Sequence, residues 1–278
     1  MIRILELFGG IGACSKALER LRIDYEIADY VEIDKYAVKS FNAIHNTNFE
    51  PQDICEWDKD IEVDLIMHGS PCQDFSLAGK QAGGDKDSGT RSSLMYETIR
   101  IVEKLKPKYV IWENVKNLLS KKHIHNFNAY LETMEQLGYT NYYQVLNAKD
   151  YGIPQNRERV FTISIRKDIN RDYSSPLPKE LKLKLKDMLE NEVDEKYYLN
   201  DETISKILFE SKPETDELRS YYKIKNATKK GYLEAYDGDG VNLCYPTSNT
   251  RRGRVGKQVS QTLTCVDSMG VVISASGR

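Results

Sequence analysis

No uncharged apolar run in the 278-residue chain approaches the roughly 20 residues that a membrane-spanning helix needs, so no membrane partner is expected. The N-terminus, MIRILELFGG, has one basic residue and a very short apolar stretch before its glycines, which is no secretory signal. Cysteine is sparse. Cys14, Cys55, Cys72, Cys244 and Cys265 are scattered, odd in number and never in a Cys-x-x-Cys pair. That pattern argues against a disulfide scaffold and a structural zinc site, and sets the expectation of a reducing, cytoplasmic setting. Internal repeats and low-complexity tracts are absent. No sign of charge dominates: 40 Lys and Arg stand against 42 Asp and Glu, so the whole chain exerts no pull on nucleic acid. What is present, 40% hydrophobic and 29% charged residues, suffices for a sizeable core.

Positive charge is local. Residues 251–278 carry five basic residues and one acidic one, concentrated in Arg251, Arg252, Arg254 and Lys257, and a second cluster lies near Arg219–Lys230. For a lone basic run a solvated tail is the preferred reading; the functional alternative is a local phosphate contact on an otherwise neutral protein.

The first 166 residues alternate strand-like and helix-like segments. Strands are expected at Ile2–Glu6, Tyr25–Ile33, Ile61–His68, Lys108–Trp112, Tyr142–Leu146 and Arg159–Ile165. Helices are expected at Ala13–Leu21, Lys35–Ile44, Leu94–Leu105 and Ile124–Leu137. Strands separated by helix-length crossovers predict an α/β fold, a mostly parallel sheet with helices on both faces. Ligands of such sheets sit beyond the carboxyl ends of the strands. From about Lys167 the texture changes. Ser174-Ser175-Pro176-Leu177-Pro178 resembles a linker, and a charged, then Tyr-rich remainder suggests a second, smaller module.

Four motifs fall at predicted strand ends. Phe8-Gly9-Gly10-Ile11-Gly12 follows the first strand, where glycines allow a tight turn and close approach to a ligand. Ser15 stands where a dinucleotide fingerprint has its third glycine, and an ordinary strand-to-helix turn fits as well. Glu32, ending the second strand, is placed to accept both hydroxyls of a ribose. Asp53-Ile54 offers an acceptor and an apolar edge to a base, although a surface turn accounts for it too. Gly69-Ser70-Pro71-Cys72-Gln73-Asp74-Phe75-Ser76 puts a cysteine in a loop at a strand end, where a thiolate serves as nucleophile. The Ala78–Arg91 stretch after it has the composition of a lid or of a plain surface loop. Glu113-Asn114-Val115 follows the apolar Tyr-Val-Ile-Trp; a poorly solvated carboxyl there suits proton donation, and a helix cap or surface carboxylate is the plainer reading. Gln155-Asn156-Arg157-Glu158-Arg159 enters a strand, whose period of two would put Gln155, Arg157 and Arg159 on one face. Two arginines there suit a phosphate and an acceptor oxygen, or an ion-paired edge around Glu158.

Taken together, in order and spacing, residues 1–166 resemble the DNA (cytosine-5) methyltransferases, of the bacterial and phage type with a small recognition domain. The Pro71-Cys72-Gln73, Glu113-Asn114-Val115 and Gln155-x-Arg157-x-Arg159 set is highly specific. Ser248–Thr264 resembles the family segment that follows the target-recognition region. The resemblance implies a Rossmann-like S-adenosylmethionine-dependent fold plus that small domain. Its expected division is a catalytic part at 1–175, a recognition part at 176–250 and a return segment at 251–278. It implies that Phe8, Gly10, Gly12, Glu32, Asp53, Ile54, Pro71 and Leu94 line the S-adenosylmethionine pocket. Cys72 would attack carbon 6 of a cytosine flipped out of duplex DNA, and Glu113 would protonate or hydrogen-bond nitrogen 3. Arg159 would hold the base oxygen, with Arg157 nearer the backbone. Gln73, Ser76, Arg91, Gln155, Arg219, Arg251 and Arg252 are candidate DNA contacts, with Tyr221, Lys223 and Lys225 nearby. The chemistry requires no metal, and the sequence gathers no ligand cluster for one.

The family's last segment, a Gly-Asn-Ser-Val-type turn and helix beside the first motif, has no counterpart after QTLTCVDSMGVVI. The expectation is that a second chain, or self-association, completes the cofactor pocket. The implied role is restriction–modification or phage self-protection. Competing readings are a catalytically silent DNA- or cofactor-binding half, a nicotinamide oxidoreductase resting on the glycine turn, and a transfer-RNA methyltransferase.

Overall fold

The computed structural model describes residues 1–71, 94–209, 214–216, 219–263 and 268–273. The chain forms two compact units, Met1–Leu146 with Glu158–Pro176, and Asn147–Arg157 with Leu177–Arg278.

The first unit alternates as its sequence predicts: β1 (Ile2–Leu7), α1 (Ala13–Arg20), β2 (Tyr25–Val31), α2 (Lys35–His45), β3 (Leu65–His68), α3 (Met95–Leu105), β4 (Tyr109–Val115), α4 (Ile124–Gln136) and β5 (Tyr139–Asn147). After β6 (Gln155–Asn156), which belongs to the second unit, β7 (Glu158–Arg166) returns to the first. The sheet order is β2-β1-β3-β4-β7-β5. β1 pairs in parallel with β2 and β3, β3 in parallel with β4, and β7 runs antiparallel to β4. Because the chain leaves β1 to one side for β2 and crosses back for β3, the strand order reverses at β1. The crevice beyond the carboxyl ends of β1 and β3 is therefore the ligand position in this architecture.

Alternation along β1 divides the core. Leu5 and Leu7 join Val31, Ile66, Ile101 and Trp112 in one cluster, backed by α3 and α4. Ile4 instead meets Leu18, Leu65 and Met67 on the α1 side. Each such fully buried aliphatic side chain contributes about 1.5–3 kcal/mol. The helices are closed locally: the Asp34 carboxylate accepts the N–H groups of Tyr36 and Ala37 at 2.7 and 3.2 Å, and Asn46 ends α2 in the left-handed region.

Some expected boundaries move. β3 begins at Leu65 rather than Ile61, because Asp64 enters the sheet by accepting the Arg3 N–H at 3.0 Å on its carboxylate. β4 runs on to Val115, so Glu113 lies inside the strand instead of just beyond it.

The second unit contains α5 (Asp201–Ile207), β8 (Glu214–Asp216), β9 (Arg219–Lys225), β10 (Tyr232–Ala235), β11 (Gly240–Asn242), β12 (Val255–Gly256), β13 (Ser260–Gln261) and β14 (Met269–Val271). They form small sheets ordered β10-β9-β8, β12-β11-β14 and β13-β6. Ile207, Leu208, Ile224, Ala235 and Val241 make its core. Among the described residues no helix is long and apolar enough to cross a membrane.

Candidate active site

Three features meet at the carboxyl ends of the central strands of the first unit. The first is the turn after β1, where Phe8, Gly10 and Gly12 all have positive φ, at 54°, 54° and 82°. A side chain at Gly9 would strike the Tyr30 ring at 2.5 Å, and one at Gly12 would collide with His45 Nε2. The turn is fastened to β2: Tyr30 donates its hydroxyl to the Gly10 carbonyl at 2.6 Å, and Gly9 donates to the Val31 carbonyl at 3.3 Å. From below, the buried Glu6 carboxylate caps α1 by accepting the Ser15 N–H at 2.6 Å and the Ser15 hydroxyl. Burial pushes the Glu6 carboxyl up from its usual range, against those hydrogen bonds.

The second feature is Glu32, just past β2. Its carboxylate accepts the Gly10 N–H at 3.1 Å and the Asp34 N–H at 2.9 Å. A carboxylate has about four acceptor positions, so hydroxyl donors still find partners there. Its neighbour Ile33 is 66% exposed, an aliphatic side chain held open at the same strand end. Ile54, by contrast, is 5% exposed. Asp53 closes its own turn by accepting the Cys55 N–H at 2.9 Å. Leu94 caps α3 and packs on the core, and Pro71 ends the described run after β3.

The third feature is an ion pair. Arg159 Nε lies 2.9 Å from Glu113 Oε1, the two side chains being 16% and 31% exposed. Antiparallel register explains it: Val115 faces Arg159 and Glu113 faces Phe161, so Glu113 and Arg159 share a face as diagonal neighbours. A Cβ built on Gly69 would lie 3.7 Å from Glu113 Oε2. The carboxylate thus stands beside the residue three positions before Cys72. Trp112 Nε1 donates to Ser70 Oγ at 2.9 Å, fixing the chain as it leaves β3. His68 stacks on Trp112, with ring planes 4° apart, and burial drives its pKa down to about 3. Cys14 is no rival nucleophile: burial first, then the Glu6 and Glu113 carboxylates, push its thiol up to about 12.

Cys72, Gln73, Ser76 and Arg91 lie outside the described residues. The expectation that Gln155, Arg157 and Arg159 share a strand face is corrected. β6 stops at Asn156, the Arg157 N–H turns back to the Gln155 carbonyl at 3.1 Å, and β7 starts afresh at Glu158. Gln155 and Arg157 belong to the second unit, where Gln155 pairs with Ser260 of β13. Glu158 gives its carboxylate to Lys116 at 2.8 Å. In the second unit Arg219 opens β9, Arg252 is exposed and donates to the Ala227 carbonyl at 3.0 Å, and Arg251 is half-buried. Arg254 leaves the basic cluster: it is 0% exposed. Its guanidinium donates to the carbonyls of Asn242, Cys244 and Tyr245, which takes it out of reach of a phosphate. Ile33 and Ser70 had no assigned role in the motif reading; their place beside Glu32 and Pro71 was the available signal.

The family model for the C-5 cytosine-specific DNA methylase matches residues 2–268. The chain belongs to this family. By that membership it is classed as a DNA (cytosine-5-)-methyltransferase, S-adenosylmethionine being the family's methyl donor. It is 36% identical to the type II methyltransferase M2.ScrFI of Lactococcus lactis subsp. cremoris, over 74% of this chain and 72% of that protein. It is 34% identical to the orphan methyltransferase M.SPRI of Bacillus phage SPR, over 91% of this chain and 64% of that protein. The fold resembles a solved structure of Spodoptera frugiperda DNMT2, with a TM-score of 0.61 at 23% identity over 75% of this chain and 66% of that one. The residues at the ends of β1 and β2 suit the family's donor, offering a free-cornered carboxylate at Glu32, an open aliphatic at Ile33 and a tight glycine turn at a helix start.

Proposed function

We propose that this chain transfers a methyl group from S-adenosylmethionine to carbon 5 of a cytosine extruded from duplex DNA, in the cytoplasm, for restriction–modification or phage self-protection. The observation that carries the reading is the Glu113–Arg159 pair beside Gly69, at the strand end that leads into Cys72. Glu32 accepts the ribose hydroxyls, Asp53 and Ile54 take the adenine, and Phe8, Gly10, Gly12, Pro71 and Leu94 complete the walls. The donor supplies an electrophilic methyl group.

The chain's own groups do the rest. The Cys72 thiolate bonds to carbon 6, while Glu113 gives a proton or hydrogen bond to nitrogen 3 and Arg159 holds the base oxygen. Negative charge that would build on the ring is thereby met by groups already in place, and carbon 5 becomes nucleophilic. After carbon 5 has gained the methyl and lost its proton, the sulfur–carbon bond breaks and Cys72 is released. Residues 176–250 form the target-recognition part, and Arg219, with Arg251 and Arg252 of the segment after it, contacts DNA. A second chain or a second copy bordering the cofactor pocket is favoured by exposed Ile11, at 56%, beside the glycine turn.

The test is methyl incorporation from labelled S-adenosylmethionine into duplex DNA, by wild type and Cys72→Ser, with and without the neighbouring encoded chain. Wild type is expected to transfer and to form a denaturant-stable adduct on DNA bearing 5-fluorocytosine. Cys72→Ser is expected to bind cofactor and do neither. Turnover by the serine variant refutes the assigned nucleophile, and transfer to transfer RNA but not to duplex DNA refutes the substrate.

A further inference from the structure

The turn bearing Asp53 and Ile54 is held from two sides by polar side chains outside the motifs. On the β2 side stands Asp29, only 4% exposed. Its carboxylate accepts Trp57 Nε1 and Lys59 Nζ, each at 2.7 Å, and Gln52 Nε2 at 3.0 Å. Gln52 extends the contact, donating Nε2 to the Tyr30 carbonyl at 2.7 Å and its N–H to the Glu32 carbonyl at 2.9 Å. On the α3 side, Arg100 Nη2 bridges the carbonyls of Ile54, at 3.0 Å, and Trp57, at 2.9 Å. Glu97, one turn back on the same helix, aims that guanidinium by accepting its Nε at 2.7 Å.

The two struts converge on one short segment. A guanidinium shared by two carbonyls spans the turn and stops it rocking, since its donors form a rigid fork. A buried carboxylate with several donors acts as a network whose members reinforce one another. Apolar packing alone would secure Ile54 and Trp57 but leave the intervening backbone free to tilt.

We infer that Asp29 and Arg100 are positioning residues for the methyl donor, holding the Asp53–Ile54 turn in the shape that receives its adenine while touching no ligand atom themselves. This rests on the assignment of Asp53 and Ile54 made above. Arg100 is the better handle, because its side chain is 37% exposed and its loss leaves the core packed.

The experiment measures steady-state methyl transfer and calorimetric S-adenosylmethionine binding for wild type, Arg100→Met, Arg100→Lys, Asp29→Asn, Asp53→Ala and the Asp53→Ala/Arg100→Met double variant. Arg100→Met is expected to raise KM and Kd for S-adenosylmethionine about tenfold, the loss that one charge-assisted hydrogen bond brings. Its kcat at saturating donor and its KM for DNA stay at wild-type values, and Arg100→Lys recovers part of the affinity. In the double variant the second substitution adds less than about twofold, because the turn it held no longer contributes its contact. A fall in kcat with unchanged KM for the donor overturns the inference, as do fully additive losses. Wild type that neither binds the donor nor transfers methyl would refute the underlying function instead. Asp29→Asn repeats the test from the other strut, so a folding defect in one variant leaves the other to decide.

Discussion

Glu113→Gln separates the chemistry of the site from its architecture. Glutamine keeps the outline of the side chain and an oxygen for Arg159 Nε, now 2.9 Å from the carboxylate. What disappears is the charge and the capacity to deliver a proton. A charge-assisted hydrogen bond is about twice as strong as a neutral one, and this pair is part-exposed, so the stability loss should be about 1 kcal/mol. Against a total near 5–15 kcal/mol, that leaves the folded population intact at 25 °C. Removing a positioned proton donor typically costs about 10²–10⁴-fold in rate, or roughly 3–5 kcal/mol of barrier. The two scales do not overlap. Single-turnover methyl transfer to duplex DNA, with a urea melt on the same sample, reads both. A variant within about fivefold of the wild-type rate would refute proton delivery from Glu113 to nitrogen 3, since the glutamine amide can still donate a hydrogen bond there but no proton.

Two further outcomes follow from buried groups. His68 stays neutral when folded, with its pKa near 3, whereas the unfolded chain takes up the proton below about pH 6.5. The unfolded state then binds more protons, so stability falls as pH drops through 6.5 and levels off below the folded value. The loss amounts to roughly 2 kcal/mol between pH 6.5 and 4.5, the slope reaching its full one-proton value only well below 6.5. Urea unfolding across that range should show the slope in wild type and its loss in His68→Gln; identical slopes would contradict the assignment. Gly12→Ala places a Cβ against His45 at a φ of 82°. It should cost roughly 2 kcal/mol of stability and weaken S-adenosylmethionine binding, which thermal melts with and without the donor would report.

Much of the first unit was readable because its apolar residues recur at the right periods. The strands expected at Ile2–Glu6 and Lys108–Trp112 and the helix at Lys35–Ile44 match β1, β4 and α2 to within a few residues. The expected ends of the second and fourth strands, at Ile33 and Trp112, then showed where to look for Glu32 and Glu113. The arginine motif departs from its expected face because a period of two presumes an unbroken strand, and the backbone turns at Arg157, whose N–H goes to Gln155 and whose carbonyl accepts from Ala148. Arg254 was misread because a buried guanidinium satisfied by carbonyls has the same sequence signature as a solvated one. Asp29 and Arg100 carried no signal at all. The turn residues they hold lie more than twenty residues away, and one polar residue inside an amphipathic segment does not reveal what it holds.

The chain has two tryptophans, Trp57 and Trp112. Trp57 donates to Asp29 beside the Asp53–Ile54 turn, and Trp112 donates to Ser70 two residues before Cys72. Both indoles are shielded from solvent. The protein's ultraviolet emission therefore comes from two fixed lamps, one beneath the turn that carries Asp53 and Ile54 and one beside the chain as it leaves β3. Replacing either by phenylalanine leaves a single indole as a dye-free optical reporter of its own surroundings.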